Sequence, residues 1–149
     1  MKPILPSLGL ALILSSTSMP VAADSKPEIT VYKDPNCGCC IDWANHMEDN
    51  GFRVKSIDTQ RLNHIKADSG LTPALASCHT AFVDGYVIEG HVPADDVKRL
   101  LAESPDTLGL AVPGMPIGSP GMEMGDRRDP YQVLMFNDRG QTRVFSEHN

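Results

Sequence analysis

Three cysteines that fall between a strand-like segment and a helix-like segment restrict the fold of this chain more than any other feature. Residues 28–34, EITVYKD, alternate polar with apolar positions and are rich in β-branched side chains, which predicts a strand. Residues 40–51, CIDWANHMEDNG, repeat apolar side chains at helical spacing, which predicts an amphipathic helix with one buried face. Cys37, Cys39 and Cys40 lie where the strand meets the helix, so we expect them at a helix N-terminus.

The rest of the pattern predicts an α/β domain with a mixed sheet. The predicted elements are a strand at 52–59, a short helix at 60–70, a hairpin at 80–90, a helix at 93–104 that buries Val97, Leu100 and Leu101, a loop rich in Gly and Pro at 113–130, and a last hairpin at 131–145. The order is therefore β-α-β-α-β-β-α plus a C-terminal hairpin, and its strand–helix–strand start predicts a right-handed parallel crossover. This is a thioredoxin-like arrangement.

The N-terminal segment has the pattern of a secretory signal peptide. Lys2 provides a short positive region, residues 8–14 are apolar, and residues 21–23 supply small side chains before a cleavage point. The apolar run is shorter than the roughly 20 residues that a membrane span needs. The alternative of an uncleaved anchor leaves the small residues unexplained. We therefore expect a signal peptide at 1–23, a single mature domain at 24–149 and export to the periplasm.

The charge of the mature chain argues against two classes of partner. The 13 Lys and Arg residues of the whole chain, less Lys2, leave 12 basic against 19 acidic residues and a net charge of −7. An acidic chain without basic clusters is unsuited to nucleic acid and to anionic membrane surfaces. Export also places the cysteines in an oxidising compartment, where free thiols need an explanation.

The position of the cysteines favours reactive thiolates, because a helix N-terminus stabilises negative charge. A structural disulfide is one role, and the useful one would join Cys78 to one of the other three cysteines. A thiol–disulfide oxidoreductase is a second role, because Cys37 and Cys40 form a CxxC before a helix. Cys39 would invite wrong pairings there, and Cys78 stands where thioredoxin-like oxidoreductases have a cis-proline. Metal binding is the third role.

Among metals, copper suits this spacing best. The adjacent Cys39 and Cys40 converge poorly on one tetrahedral zinc ion, whereas closely packed thiolates can bridge Cu(I) ions. In a thioredoxin-like sheet the segment that enters the third strand lies beside the N-terminus of the first helix, and SCHTAF at 77–82 is that segment. We therefore expect Cys78 beside the other three cysteines, where four sulfurs could hold more than one copper ion.

Other candidate donors have ordinary alternatives. They are His79, His91, Met115, Met122 and Met124. A methionine in a loop commonly fills a gap against the core, and a histidine such as His91 commonly makes a local hydrogen bond. Their roles stay open. The remaining histidines are expected to be solvated on helices (His46 and His64) or to lie in the C-terminal tail (His148).

Three motifs together resemble a known family. They are CGCCIDW at 37–43, SCHTAFVDGYVIEGHVPADDVKRLL at 77–101 and GLAVPGMPIGSPGMEMG at 109–125. The chain resembles the CopG-like periplasmic copper-resistance proteins, a family of unknown activity with a CxCC metal-binding motif. The resemblance implies a thioredoxin-like fold and copper bound by the cysteines of the two motifs. By position, these metal ligands are Cys37, Cys39, Cys40 and Cys78.

The same resemblance implies a role in copper handling or resistance in Gram-negative bacteria, with redox chemistry on copper as a further activity. Two alternatives stay open. One is a thiol–disulfide oxidoreductase that uses Cys37 and Cys40, and the other is a metallochaperone that delivers copper to an exporter. The expected partners are copper ions and a copper exporter or periplasmic copper carrier.

Overall fold

The fold is a seven-stranded mixed sheet with three α-helices, seen in a computed structural model that describes residues 26–149. The elements are β1 (Glu28–Lys33), α1 (Gly38–Asp49), β2 (Arg53–Asp58), α2 (Leu62–Asp68), a short 3₁₀ turn (Pro73–Leu75), β3 (His79–Val83), β4 (Tyr86–Glu89), α3 (Ala94–Glu103), β5 (Gly109–Ala111), β6 (Tyr131–Phe136) and β7 (Thr142–His148). The predicted signal peptide at 1–23 lies outside the described residues.

The strands lie in the order β2-β1-β3-β4-β5-β6-β7. β1 pairs with β2 in parallel, as expected for a strand–helix–strand unit, and with β3 antiparallel on its other side. The β3–β4 hairpin turns through Asp84 and Gly85, both with positive φ, which is the geometry that favours this dipeptide. β1 is therefore an interior strand, and its Ile29 and Val31 are fully buried.

Strand β5 is not predicted by the sequence pattern. This strand has only three residues, Gly109–Ala111, and it pairs in parallel with β4 and antiparallel with β6. Three residues are too few to show an alternating pattern, so only the pairing identifies it. The observed order therefore has one more strand, after α3, than the predicted order, and the C-terminal hairpin β6–β7 joins the main sheet through it.

Helix α1 forms as its periodicity predicts. Its buried residues are Cys40, Trp43, Ala44 and Met47. Trp43 Nε1 donates a hydrogen bond of 2.9 Å to the backbone oxygen of Val92, which ties the helix to the segment before α3. Gly51, with φ +93°, follows the C-cap and turns the chain toward β2.

Helix α3 buries a slightly different face from the predicted one. Val97 and Leu100 are fully buried as expected, but Leu101 is only partly buried. Asp96 takes an inward position, where its Oδ2 lies 2.8 Å from Nε2 of His148. His148 was expected in a tail, yet it lies in β7 and stacks on Tyr131. A contact between residues this far apart in sequence is invisible to helical periodicity.

The helices of residues 26–149 are too short or too polar to cross a lipid bilayer.

Leu100→Ala should lower the free energy of unfolding by about 2–5 kcal/mol, because it leaves a cavity in the core. Leu101→Ala is the matched control, and its loss should be nearer about 1 kcal/mol because the side chain is only partly buried. Urea denaturation of both variants measures the difference. Equal losses would mean that α3 is rotated from the face described above.

Candidate metal centre

The pairing of β1 with β3 brings Cys78 to the cysteine cluster. Cys37 is the N-cap of α1, and Cys39 and Cys40 lie in its first turn. Cys78 immediately precedes β3, and the β1–β3 register places Lys33 opposite His79. The end of β1 and the start of β3 are therefore neighbours, so residues next to them in the chain are close in space.

The four sulfur atoms form one group. Cys39 Sγ lies 3.5 Å from Cys37 Sγ and 3.7 Å from Cys78 Sγ. Cys40 Sγ lies 3.7 Å from the backbone oxygen of Cys78. The four ligand atoms lie within 4.8 Å of one another, which is close enough to share metal ions. The proximity of Cys78 agrees with the sequence analysis, and the role of the four residues as ligands stays a prediction.

Two of the four cysteines are joined. Cys37 and Cys40 form a disulfide, with their Cα atoms 5.4 Å apart, while Cys39 and Cys78 are free. This is the CxxC pairing of the oxidoreductase alternative, and the disulfide that would involve Cys78 is not formed. A disulfide sulfur is a poor ligand compared with a thiolate. Binding metal through all four sulfurs therefore requires reduction of this bond.

Two buried histidines extend the group on the side of Cys78. Cys78 Sγ lies 3.3 Å from Nδ1 of His79 and 3.0 Å from Nε2 of His91. The roles of both histidines are open from the sequence alone. Their motif SCHT…EGH offers imidazoles near a cysteine, but only the folded hairpin shows that both rings reach the same sulfur atom.

The contacts of His91 determine which of its ring nitrogens carries the proton. Nδ1 lies 2.8 Å from the backbone oxygen of Pro120, an acceptor, so Nδ1 carries the proton and donates it. Burial lowers the pKa of His91, which favours the neutral ring. Nε2 is then unprotonated and faces Cys78, where it can accept the thiol proton or bind a metal. Histidines that bind metals commonly donate their other N–H to a carbonyl in this way.

His79 carries an unusual buried nitrogen. Its Nε2 has no hydrogen-bond partner among the described residues, although the ring is fully buried. The ring lies against Trp43, with 4.4 Å between ring centroids, and against His91. Burial, then the neighbouring His91 and Lys66, hold the pKa of His79 well below its usual value. A neutral imidazole is the form that binds metal ions.

The pKa of Cys78 is shifted in the opposite direction from that of a cysteine at a helix N-terminus, where the pKa is lowered. Burial, with a further contribution from Cys39, raises the pKa of Cys78 to about 12. Without a metal, Cys78 is therefore a neutral thiol at physiological pH. A bound cation would remove the proton, because coordination deprotonates a thiol.

The Gly- and Pro-rich loop closes over the site. Gly121 has φ +83°, and a Cβ there would lie 2.7 Å from both the backbone oxygen of Cys39 and the backbone nitrogen of Trp43. Glycine therefore lets the loop touch the first turn of α1. On the other side, Ser77 Oγ donates a hydrogen bond of 2.5 Å to the backbone oxygen of Gly114. The loop thus contacts both sequence segments that supply cysteines.

The other candidate donors lie in varied environments. Met115 and Met124 are 52% and 59% exposed, so they do not fill gaps in the core, and Met122 is partly buried. His64 is exposed as expected. His46 is not simply solvated, because its Nε2 accepts a hydrogen bond of 3.1 Å from the backbone N–H of Ala94 at the start of α3.

One family model and two solved structures are similar to this chain. The family described as a protein of unknown function, DUF411, matches residues 75–122, which include Cys78, His79 and His91. A structure of the copper resistance protein CopG, form 2, is similar with a TM-score of 0.80 and 46% identity, covering 84% of this chain and 100% of that chain. Form 1 of the same protein is similar with a TM-score of 0.79 and 48% identity, covering 83% and 98%. None of the curated proteins matches the sequence.

Proposed function

Because this chain belongs to the family of CopG-like copper resistance proteins, we propose that it binds Cu(I) through Cys37, Cys39, Cys40 and Cys78 and acts in copper handling or resistance. The observation that carries the proposal is the contact of 3.7 Å between Cys39 Sγ and Cys78 Sγ, two residues separated by 39 positions. It supports a single centre of four sulfurs. Thiolates are soft ligands, which Cu(I) prefers.

Charge favours several copper ions in this centre. Four thiolates would bring four negative charges to a partly buried position, which is costly unless cations are bound. The N-terminus of α1 offers only about half a positive charge. Each Cu(I) ion neutralises the charge of one thiolate. Because a thiolate can bridge two copper ions, four sulfurs are enough to coordinate a small cluster. His79 and His91 are suitably placed to complete the coordination next to Cys78.

The same site supports a copper-linked redox step. Two Cu(II) ions could accept one electron each from the reduced Cys37 and Cys40, which would give two Cu(I) ions, the Cys37–Cys40 disulfide and two released protons. Cys39, Cys78 and the two histidines would remain as donors for the Cu(I) products. The disulfide between Cys37 and Cys40 supports this coupling, because it is the oxidised product of that step.

That disulfide also supports a second candidate function, a thiol–disulfide oxidoreductase. The order β1-α1-β2, then β3-β4-α3, is consistent with a thioredoxin-like fold, and the CxxC disulfide lies at the N-terminus of its first helix. The other candidate, a metallochaperone for a copper exporter, would use the same ligands without redox turnover. Met115 and Met124 are exposed on the loop that contacts the cysteine segments, and their thioether sulfurs are soft ligands, so they are compatible with copper transfer.

Location in the periplasm is part of the proposal, since the pattern of residues 1–23 is that of a signal peptide. The mature chain should begin at Asp24. N-terminal sequencing of protein from the periplasmic fraction measures this directly. A retained Met1 in a membrane fraction would contradict it.

Anaerobic titration of the reduced protein with Cu(I) in the presence of zinc tests the proposed function. We expect Cu(I) to displace zinc and the mass of the intact complex to show more than one Cu(I) per chain, because crowded thiolates suit bridged Cu(I) better than one tetrahedral zinc ion. The control is the unreduced protein, in which the Cys37–Cys40 disulfide should lower the number of copper ions bound. Zinc that excess Cu(I) does not displace would contradict the copper preference. An absence of bound copper together with rapid disulfide exchange would favour the oxidoreductase.

Cys78→Ser should lower the Cu(I) stoichiometry and leave the fold intact, because serine is nearly isosteric but is a hard, weak ligand for Cu(I). Mass measurement of the copper-loaded protein and circular dichroism of the metal-free protein check the two parts. His64→Gln is the control, since it removes an exposed imidazole from α2 and should leave the stoichiometry unchanged. Unchanged copper binding in Cys78→Ser would exclude Cys78 as a ligand, and loss of the metal-free fold would favour a structural role instead.

A further inference from the structure

A buried ion pair lies directly behind the candidate metal centre. Lys66 of α2 contacts Oε1 of Glu89 in β4, and both side chains are almost completely removed from solvent. Lys66 Nζ also donates a hydrogen bond of 3.0 Å to Oγ1 of Thr80, which in turn donates one of 2.7 Å to Oε2 of Glu89. The three side chains form a closed polar network inside the protein.

Stability does not explain such a pair. Removing two charges from water costs several kcal/mol each, and well-packed apolar residues in their place are commonly neutral or stabilising. The pair is therefore best explained by what its hydrogen bonds hold in position.

Those hydrogen bonds hold both sides of the segment Cys78–His79. Glu89 Oε1 accepts a hydrogen bond of 2.6 Å from the backbone N–H of Ser77, the residue before Cys78. Thr80, the residue after His79, donates its hydroxyl hydrogen bond to the same carboxylate. The paired register of β3 and β4 begins at Thr80 and Glu89, so Ser77 and Cys78 lie before it. The carboxylate supplies to Ser77 the acceptor that a strand partner would otherwise provide.

Glu89 also lies only two residues before His91 in the sequence. After Glu89, Gly90 has φ +70° and donates its N–H to the backbone oxygen of His79 over 3.0 Å. A Cβ on Gly90 would lie 2.5 Å from Cβ of Ser77, so the two backbone segments are in contact. His91 then returns to Cys78, with its Nε2 3.0 Å from the sulfur. Glu89 is thus hydrogen-bonded to the segment that carries Cys78, and it immediately precedes the segment that carries His91.

We propose that Lys66 and Glu89 are positioning residues of the copper site. They hold Cys78 Sγ and His91 Nε2 close enough together to bind the same metal ion. Glu89 does so through the backbone of Ser77 and the hydroxyl of Thr80. Lys66 acts as the counterion that allows an ionised carboxylate to remain in this buried position. This inference depends on the proposed copper function for its significance, but the position of Cys78 can be measured without copper.

The test is the double variant Lys66→Met/Glu89→Leu, which replaces the ion pair by apolar side chains of similar size. We expect the free energy of unfolding to change little, because such replacements are commonly neutral. The affinity for Cu(I), measured against a competing chelator, should fall by roughly tenfold or more, as it does when groups that orient metal ligands are removed. Alkylation of Cys78 in the reduced, metal-free protein, followed by peptide mass mapping, should become faster because the half-buried Cys78 is held less firmly and the reagent reaches it more readily.

Asp96→Asn is the matched control, because Asp96 is also a buried carboxylate but it contacts His148 and Arg99 instead of the site. It should change stability without changing copper affinity or Cys78 alkylation. If the double variant does not fold, Thr80→Val removes the bridging hydroxyl and should produce smaller changes in the same direction.

Wild-type affinity and wild-type alkylation rate in the folded variants would overturn the positioning role, as would an equal effect of Asp96→Asn. Failure of the wild-type protein to bind copper would instead overturn the proposed function. The alkylation rate would still decide whether the pair positions Cys78.

Discussion

The antiparallel pairing of β1 with β3 is the constraint on which the site depends. β1 leads into the cysteine-bearing first turn of α1, and Cys78 leads into β3, so one strand pair sets the distance between the two sources of sulfur. A shift of the register by one residue would turn His79 away from Trp43 and carry Cys78 away from Cys39, because side chains alternate between the faces of a sheet. The buried Ile29 and Val31 make such a shift unfavourable.

Close to this strand pair, the protein buries polar groups whose burial in an ordinary core would cost free energy of folding. Within residues 26–149, Nε2 of His79 has no hydrogen-bond partner, burial keeps Cys78 as a thiol, and the carboxylate of Glu89 is fully buried. Burying such groups costs free energy unless partners compensate them. Glu89 has these partners in Lys66, Thr80 and the backbone N–H of Ser77. Under the proposed function, bound copper would replace the proton of Cys78 and offset part of this cost, which is the pattern of a protein whose stability has been traded for a function.

The cysteines give the site two chemical states. With Cys37 and Cys40 joined, two sulfurs and two imidazoles remain available, and with the disulfide reduced, all four sulfurs are available. Under the proposed function, copper binding and thiol oxidation would compete for the same sulfur atoms, which is the physical basis of the redox proposal and of its oxidoreductase alternative. With the Cys37–Cys40 disulfide formed, the covering loop contacts the imidazole of His91 through Pro120 and the first turn of α1 through Gly121.

Local periodicity was enough to predict β1, α1, the β3–β4 hairpin and the position of three cysteines at a helix N-terminus, because each depends on residues close together in the chain. The proximity of Cys78 followed from the expected order of the strands. Contacts between distant residues had no local signal: the return of His91 to Cys78, the inward turn of Asp96 toward His148 and the ion pair of Lys66 with Glu89. The three-residue β5 likewise exists only through its neighbours, since hydrogen bonds to β4 and β6 define it. Sequence pattern reports which face of an element is apolar, whereas the packing of elements decides which polar groups meet.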